Sequence, residues 1–454
     1  MSGAAPPNPL DARLDLGLPG PGPLPERLAR ERLSRLAGTL RLAADDSPFY
    51  RNLARKELLR AAAALEAAHD RLAGPAGAEE AILSALADLP VTEPRDLAAS
   101  PESFLAVGQN EVDGVITVPS SGSRGPSKRI YSTEGDLKNT IDFFRYGMLN
   151  VLRPRKGARV ALAMSGDRPG SVGDLLARAL AFHGVGCAAL GFLPPGRPEL
   201  AAFRERLSAL APVTLVGLPS QTLYLARTGP KPRGLETVLL SGEPAPQSLV
   251  AAIQDAWGTE VFLHFGMTEF GLGGAVECRA RAGPHLREAD LLWETLPPGQ
   301  TGRYPGRSLG PGPSGEITLT SLSRRAMPLI RYRTGDLGSL LPGPCACGSV
   351  FRRISTGGRI GDLLAPGLGL SHLAQAVYGL PGVAAFWASL SGGPEPLLTV
   401  RLGLPGRPVP GFPDLARAAL AEALKGTMPF GIAIDPDPPP PATGGAKPAL
   451  SREP

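Results

Sequence analysis

Cysteine and long apolar runs are scarce in this chain. The chain has four cysteines among 454 residues, and in a cytosolic protein we expect them to be thiols or metal ligands rather than disulfides. No uninterrupted apolar run reaches about 18 residues, so no membrane-spanning helix is predicted. The amino-terminal segment through Pro25 has neither a basic start nor an apolar core, which argues against a signal peptide. A cytoplasmic protein without a membrane partner is expected.

An excess of charge of one sign is also lacking. The 47 basic residues are balanced by 42 acidic ones, the formal net charge is +5, and no dense basic run is present. A nucleic acid partner is therefore not expected. The length of 454 residues and the 43% hydrophobic content predict a globular chain with one large domain and at least one smaller one. The 57 glycines and 50 prolines predict many loops.

The apolar pattern changes twice along the chain. Residues 26–73 have helical periodicity, and the middle third alternates short apolar segments with helix-like ones, as in a parallel α/β sheet. The predicted buried strands are residues 114–118, 159–164, 213–216, 237–240 and 261–264, and the predicted helices among them are residues 174–182 and 199–210. Hairpin-like strands such as residues 316–321 then predict a smaller β-rich subdomain. The remainder has strands, a helix near residues 413–424, and a proline-rich connector at 435–441.

Residues 120–128, Ser-Ser-Gly-Ser-Arg-Gly-Pro-Ser-Lys, combine hydroxyls, glycines and one lysine in a turn-forming segment. Glycines allow several backbone N–H groups to face one point, and Lys128 adds a compact positive charge. The segment is therefore a candidate phosphate-binding loop, whose residues are Ser120, Ser121, Gly122, Ser123, Arg124, Gly125 and Lys128. The alternative is an ordinary surface loop, because the spacing is not that of a P-loop.

Residues 264–269, His-Phe-Gly-Met-Thr-Glu, directly follow a predicted strand, where open α/β sheets bind ligands. Glu269 could hold Mg²⁺ against phosphate oxygens, Thr268 could donate a hydrogen bond to the same group, and Phe265 could stack on a purine. In the alternative interpretation, Phe265 and Met267 belong to the core and Glu269 is a solvated strand end.

Residues 331–336, Arg-Tyr-Arg-Thr-Gly-Asp, present a turn-forming Thr-Gly-Asp after an apparent strand. The carboxylate of Asp336 can accept two hydrogen bonds at once, which suits the vicinal hydroxyls of a ribose. An ordinary turn stabilised by its own side chain is the alternative.

Three thiols and one imidazole form a candidate metal site, namely Cys278, His285, Cys345 and Cys347. This ligand set suits tetrahedral Zn²⁺, which would tie the loop after Glu269 to the β-rich subdomain. The alternative is a set of buried free thiols with a surface histidine. Cys187 has no evident partner and is expected in the core.

The three nucleotide motifs, in this order, resemble those of the acyl-adenylate-forming superfamily over roughly the whole chain. Within it, Leu89-Pro90-Val91-Thr92 with Asp96-Leu97, and Cys345-Ala346-Cys347-Gly348 before Gly358-Arg359, are similar to the phenylacetate-CoA ligase branch. The resemblance implies an α/β fold with a large amino-terminal ATP- and acid-binding domain, residues 1–358, that has mixed or parallel sheets, a helical start at 26–73 and a β-rich subdomain at about 300–358. It also implies a small mobile α+β domain at residues 359–454, which carries Lys447.

The resemblance further implies the role of each motif. Residues 120–128 would bind the β- and γ-phosphates of ATP, Thr268 would contact the α-phosphate, Glu269 would bind Mg²⁺, and Asp336 would hold the ribose. Other nucleotide contacts would come from Ser241, Gly242, Glu243, Pro244, Phe265, Gly266 and Arg359. Lys447 would be the mobile catalytic lysine of adenylation, acting with Thr268 and Glu269, and Asp362 would be the hinge. Two positions depart from the family pattern: Arg124 replaces the usual threonine, and Asp362 stands alone where relatives often have an acidic pair.

The reaction implied by the resemblance is the activation of a carboxylic acid to acyl-AMP with pyrophosphate release, followed by transfer to coenzyme A. An aryl or arylacetic acid is the expected substrate. One alternative keeps the adenylation and transfers the acyl group to a carrier-protein thiol or another nucleophile. A second is a catalytically weak nucleotide-binding scaffold, suggested by Arg124 and by the short tail after Lys447. The oligomeric state is left open, with a homodimer as one arrangement.

Overall fold

The computed structural model describes residues 8–11, 22–72, 74–118, 128–153, 155, 157–166, 168–298, 312, 314–392, 396–441 and 451–452. Most of the predicted phosphate loop, residues 120–127, lies outside the described residues, as does Lys447. The roles assigned to Ser120, Ser121, Gly122, Ser123, Arg124, Gly125 and Lys447 therefore stay predictions.

Proline begins many of the helices. The helices are α1 (Leu24–Asp46), α2 (Pro48–Asp70), α3 (Pro75–Ala87), α4 (Pro94–Ala99), α5 (Glu134–Val151), α6 (Val172–Ala181), α7 (Arg197–Leu210), α8 (Pro219–Thr228), α9 (Gln247–Trp257), α10 (Leu370–Tyr378) and α11 (Phe412–Leu424). A proline occupies the first or second position of α1 to α4, α7, α8 and α11. The proline ring fixes a helical φ. At the start of a helix its missing N–H costs no hydrogen bond, because the first N–H groups have no acceptor within the helix. Part of the high proline content therefore starts helices rather than forming loops.

The strands match the predicted alternation in the middle of the chain. They are β1 (Gly114–Val118), β2 (Lys128–Ser132), β3 (Arg159–Ala163), β4 (Gly186–Ala189), β5 (Thr214–Gly217), β6 (Thr237–Leu240), β7 (Glu260–Phe265), β8 (Ala275–Val276), β9 (His285–Leu286), β10 (Leu291–Leu296), β11 (Gly315–Ser321), β12 (Tyr332–Leu341), β13 (Arg353–Arg359), β14 (Leu363–Ala365), β15 (Leu368–Gly369), β16 (Ala385–Leu390), β17 (Leu398–Gly403), β18 (Phe430–Asp435) and β19 (Ser451–Arg452). The predicted α/β fold is confirmed. Residues 114–118 form a strand as predicted, but the prediction that it is buried is wrong. Among the described residues β1 pairs with β2 alone, antiparallel, and Val115 is 51% exposed.

The chain forms two compact units, and the first comprises residues 1–153, 168–183 and 264–356. Its helical part follows from an apolar stripe on α1, where Leu33, Leu36 and Leu40 are fully buried among α2 and α3. Helix α1 ends before Pro48, which disfavours helical backbone at Ser47 and opens α2. The long predicted helical region is thus two helices.

The β-rich part of the first unit has the strand order β10-β11-β12-β13-β9-β8. Strands β10, β11 and β12 are antiparallel neighbours, as the hairpin-like pattern predicted. The last two residues of β7, His264 and Phe265, pair with β8. This order brings the end of β7 and the start of β12 into one unit, and both carry predicted site residues.

The second unit comprises residues 154–167, 184–263 and 357–454. Its central feature is a parallel sheet in the order β4-β3-β5-β6-β7, with the buried Leu215, Val238 and Val261 in its core. The near-continuous apolar strands are typical of a parallel sheet covered on both faces. The weak sequence of β4, Gly-Cys-Ala-Ala, explains why the apolar pattern did not predict it.

Residues 357–441 belong to the same second unit and share its apolar core. Strands β18-β17-β16-β19 form a sheet, in which β16 and β17 are antiparallel and β17 and β18 parallel. The proline-rich connector lies against α8, because Tyr224 Oη donates to Pro438 O at 2.9 Å and Gln221 Nε2 donates to Pro441 O at 3.1 Å. The predicted boundary between residues 358 and 359, with a mobile domain after it, stays a prediction.

Candidate active site

Glu269 lies in a short 3₁₀ turn, Thr268–Phe270, directly after strand β7. The turn ends at Gly271, whose φ is +78°, and a Cβ there would lie 2.6 Å from Thr140 Oγ1, so glycine fits best. Glu269 is only 6% exposed. The alternative that made Glu269 a solvated strand end is therefore wrong, although Phe265 and Met267 do pack against the core of this unit.

Lys128, Glu269 and Tyr332 form a closed triangle of hydrogen bonds. Lys128 Nζ donates to Glu269 Oε1 at 2.9 Å and to Tyr332 Oη at 2.9 Å, and Tyr332 Oη donates to Glu269 Oε1 at 3.0 Å. Burial raises the pKa of Glu269, but the Lys128 charge and the hydrogen bonds outweigh it and hold that pKa below its ordinary value. A charged carboxylate is thus buried beside the Lys128 ammonium.

Two buried arginines fix strand β12 on either side of Tyr332. Arg331 and Glu294 form an ion pair at 3.2 Å with 0% and 1% side-chain exposure, and Arg331 Nη1 also donates to Leu86 O and Leu89 O, at and just after the end of α3. Arg333 Nε donates to Glu316 Oε2 at 2.7 Å. Because both flanking side chains are held by ion pairs, the backbone that carries Tyr332 has little freedom.

The sequence predicted that Asp336 follows a strand, but the structure places it inside strand β12. Its backbone N–H donates to Thr334 Oγ1 at 3.0 Å, and Gly335 adopts a φ of +73° opposite an irregularity in β11. This is the geometry of a bulge that turns one side chain out of its normal alternation. The self-bonded turn of the alternative interpretation is therefore present, and it leaves Asp336 partly exposed.

In the second unit, Glu243, Pro244 and Arg359 line one cleft of about 600 Å³, together with Asp362 and Tyr378. The carboxylate of Glu243 accepts a hydrogen bond from Ser220 N at 3.0 Å, at the amino-terminal end of α8, where the helix dipole favours negative charge. The preceding Gly242 has a φ of +89°, which sets the turn after β6. The structure thus brings residues 243–244 and Arg359 together, as the resemblance implied.

Phe265 and Gly266 have packing roles in the first unit. The ring of Phe265 lies 5.7 Å from that of Trp293 at an angle of 60°. A Cβ at Gly266 would lie 1.7 Å from Leu272 O, so glycine is required by the close approach of two backbone segments. Their nucleotide contacts stay predictions.

Cys278, His285, Cys345 and Cys347 converge in the first unit, and all four are buried. Their ligand atoms lie within 4.8 Å of one another, with 3.6 Å between the Cys278 and Cys345 sulfurs and 3.4 Å between Cys347 Sγ and His285 Nε2. His285 Nδ1 lies 2.9 Å from Phe351 O, which favours a proton on Nδ1 and leaves Nε2 as the lone-pair donor. The alternative with a surface histidine is therefore wrong.

Curated proteins similar to this chain are phenylacetate-coenzyme A ligases. The phenylacetate-coenzyme A ligase of Pseudomonas putida is 29% identical over 331 residues, which cover 70% of this chain and 68% of that protein. The same-named enzyme of Thermus thermophilus is 29% identical over 360 residues, or 74% of this chain and 71% of the relative. The chain is thus similar to phenylacetate-coenzyme A ligases over about 70% of its length. No protein-family model matches the chain.

Solved structures of acyl-CoA ligases share the fold of this chain. A 2-hydroxyisobutyryl-CoA ligase in its postadenylation state gives a TM-score of 0.71 at 19% identity, over 91% of this chain and 86% of that one. A benzoate CoA ligase from Burkholderia xenovorans gives 0.54 at 15% identity, over 74% and 67%. Within the described residues, no helix is both long and apolar enough to cross a lipid bilayer.

Tyr332 had no predicted role, although it lies within the motif at residues 331–336. Tyrosine between two arginines at a strand start is typical of a half-buried strand, and nothing in that pattern indicates a partner more than 60 residues away in the chain. The available signal was the alternation of β12, which begins at Tyr332 and places it on the opposite face from Arg333. The hydroxyl contact with Glu269 became visible only in the fold.

Proposed function

We propose that the protein uses ATP to convert a carboxylic acid to its acyl-AMP with release of pyrophosphate, and then transfers the acyl group to coenzyme A. The observation that carries this proposal is the buried, charged Glu269 held by Lys128 and Tyr332, in a chain whose relatives are phenylacetate-coenzyme A ligases. Attack of a carboxylate on the α-phosphorus brings two anions together, so the site must offset developing negative charge.

Lys128 and Glu269 fit the needs of the ATP phosphates. Lys128 Nζ is a compact cation with a flexible stem and a side chain 17% exposed, so it can turn to a phosphate oxygen. Glu269 is a hard oxygen donor that stays charged, and it would hold Mg²⁺. When bound there, Mg²⁺ would neutralise phosphate charge. Thr268 would donate a hydrogen bond to the α-phosphate from the same turn.

The remaining contacts are proposed from the resemblance. Asp336, turned out of β12 by its bulge, would accept the two ribose hydroxyls. Residues 241–244 and Arg359 would contact the nucleotide, and the cleft that contains Glu243, Pro244 and Arg359 supports this. Residues 120–125 would bind the outer phosphates. An aryl or arylacetic acid is the proposed substrate, in keeping with the names of the relatives.

The decisive experiment is exchange of labelled pyrophosphate into ATP over a panel of aryl, arylacetic and aliphatic acids. We expect exchange that depends on one class of acid, followed by a thioester when coenzyme A is added. Exchange without a coenzyme A thioester would favour a carrier-protein thiol as acceptor. Folded, magnesium-replete protein that binds ATP but exchanges with no acid would contradict the enzyme and favour a nucleotide-binding scaffold.

Lys447→Ala is expected to lower acid-dependent exchange by about a hundredfold, because one preorganised charge on the reacting groups is lost. Formation of the thioester from supplied acyl-AMP should change little. Lys425→Ala, at an exposed lysine that follows α11, is the matched control and should leave both steps unchanged. Equal loss of both steps in the Lys447 variant would contradict its proposed role.

We also propose that Cys278, His285, Cys345 and Cys347 hold a structural Zn²⁺. Zn–S and Zn–N bonds of about 2.3 and 2.0 Å in a tetrahedron place two sulfurs about 3.8 Å apart, and a sulfur and a nitrogen about 3.5 Å apart. The observed 3.6 and 3.4 Å fit these values. Burial raises the pKa of Cys278 to about 12, so a cation is needed to keep this sulfur as a thiolate.

Zinc should co-purify with the protein in a one-to-one ratio when no metal-binding tag is used. If the free metal is a thousandfold above its dissociation constant, it stabilises the fold by about 4 kcal/mol, so chelation should lower the melting temperature. Cys345→Ser should lose the metal and Cys187→Ser, a half-buried thiol elsewhere, should keep it. Metal far below one equivalent, with a melting temperature unaffected by chelator, would contradict the site.

A further inference from the structure

The hydroxyl of Tyr332 is the rigid member of the triangle formed with Lys128 and Glu269. Tyr332 is fully buried, its ring packs edge-on against Phe270 at 5.7 Å, and its backbone is held between the ion pairs of Arg331 and Arg333. Lys128, in contrast, reaches Glu269 through a flexible stem. Of the two groups that bind the carboxylate, Tyr332 has the fewer rotatable bonds and the tighter packing.

Both of these side chains bind the same oxygen, Glu269 Oε1. A carboxylate has two oxygens, so bonds that converge on one of them set its rotation and direct the other toward a different ligand. If Lys128 turned to an incoming phosphate, Tyr332 would be the described side-chain donor that remains on Oε1. Without the Tyr332 hydroxyl, the Glu269 carboxylate could rotate, and its buried Oε1 would lose that hydrogen bond.

We propose that Tyr332 is a positioning residue, whose hydroxyl keeps the Glu269 carboxylate oriented for a divalent cation while Lys128 is exchanged between Glu269 and the phosphates of ATP. This inference rests on the proposed function. Lys128 and Tyr332 both donate to Glu269 Oε1. Tyr332 would keep its bond to the carboxylate when Lys128 turns to a phosphate.

The test is the Mg²⁺ dependence of ATP binding to the full chain, measured by calorimetry, in Tyr332→Phe and Tyr50→Phe. Tyr50 is a matched control in the same unit, because its buried hydroxyl also makes two hydrogen bonds, at 2.9 Å with Thr92 Oγ1 and at 2.8 Å with Ile330 N. Binding of AMP without metal serves as a check that each variant retains a folded nucleotide site. Loss of a group that orients a metal ligand typically weakens metal affinity about 10- to 100-fold.

We expect the Mg²⁺ midpoint to rise at least about tenfold in Tyr332→Phe and to stay unchanged in Tyr50→Phe. AMP binding should be the same in both variants and in the unmodified protein. An unchanged midpoint in Tyr332→Phe, an equal shift in Tyr50→Phe, or parallel loss of AMP and MgATP binding would overturn the inference. So would a Tyr332→Phe variant that fails to fold, because the hydroxyl would then serve the fold.

Failure of this inference can be told apart from failure of the proposed function. An unmodified protein that binds MgATP but catalyses no acid-dependent exchange contradicts the function and leaves the midpoint comparison intact. An unmodified protein that exchanges normally, with equal Mg²⁺ midpoints in all variants, contradicts the role of Tyr332 only. Absence of any ATP binding contradicts both.

Discussion

Glu269→Gln is expected to lower acid-dependent pyrophosphate exchange by on the order of a thousandfold, because it removes the charge that would hold Mg²⁺ on the phosphates. The substituted amide keeps the shape of the side chain and can still accept the hydrogen bonds of Tyr332 and Lys128 through its oxygen. The loss should therefore fall on the rate of exchange more than on folding. Exchange kinetics at saturating ATP and acid, with thermal unfolding in parallel, are the measurements.

The matched control is Glu102→Gln, which also removes a carboxylate that pairs with a basic residue of strand β2. Glu102 pairs with Arg129 at 3.0 Å on the exposed side of β2, next to Lys128 in sequence. This variant should exchange at the unmodified rate. If Glu269→Gln kept exchange within a few-fold of the unmodified protein, the proposed metal ligand would be wrong. If it unfolded at the temperature of the assay, exchange at a lower temperature would still decide the question.

Arg331→Met is expected to destabilise the first unit by about 3–5 kcal/mol, the usual result of breaking a buried ion pair from one side. It leaves Glu294 buried without its cation and removes the hydrogen bonds to Leu86 O and Leu89 O. Burial raises the pKa of Glu294, and Arg331 offsets only part of this. Without Arg331 the pKa of Glu294 should rise further, so the free energy of unfolding of the variant should fall as pH rises.

Denaturant unfolding at about pH 5 and about pH 8 measures this effect, with a larger difference from the unmodified protein at the higher pH. Adding Glu294→Leu should recover much of the loss, because an apolar pair of similar size avoids the charge burial. Arg129→Met, at an exposed ion pair, should change little. If Arg331→Met were as stable as Arg129→Met, the buried pair would not be what fixes the start of β12.

The parts of the fold that could be predicted were those with a local pattern. Strands β3, β5, β6 and β7 are apolar runs, and the helix between β4 and β5 has a clear periodicity, so their positions agree within a few residues. The run of β1 is also apolar, yet it forms a two-stranded ribbon with β2 in which Val115 is exposed. A short apolar segment does not encode which strand pairs with it, so its environment could not be predicted.

The candidate site was predictable where one residue type dictates the chemistry. Three thiols and one imidazole are a common ligand set for zinc. The prediction that Cys278, His285, Cys345 and Cys347 lie together is confirmed. Glu269 was predicted to bind Mg²⁺ and Lys128 to bind phosphate, but no hydrogen bond between the two was predicted. Lys128 donates hydrogen bonds both to Glu269 and to Tyr332, and this depends on the three residues meeting in the tertiary fold.

The proline-rich stretch at residues 436–441 is attached to α8 by side-chain contacts and can open separately from the sheet. Proline lacks an N–H, and described residues 436–441 join no strand ladder, so the buried side chains of Tyr224 and Gln221 hold their carbonyls instead. Each such bond contributes about 1 kcal/mol. Detaching the stretch also exposes the buried Pro438, Pro440 and Pro441, but it separates no strands. Residues 436–441 can therefore leave α8 by local opening while β17 and β18 stay paired.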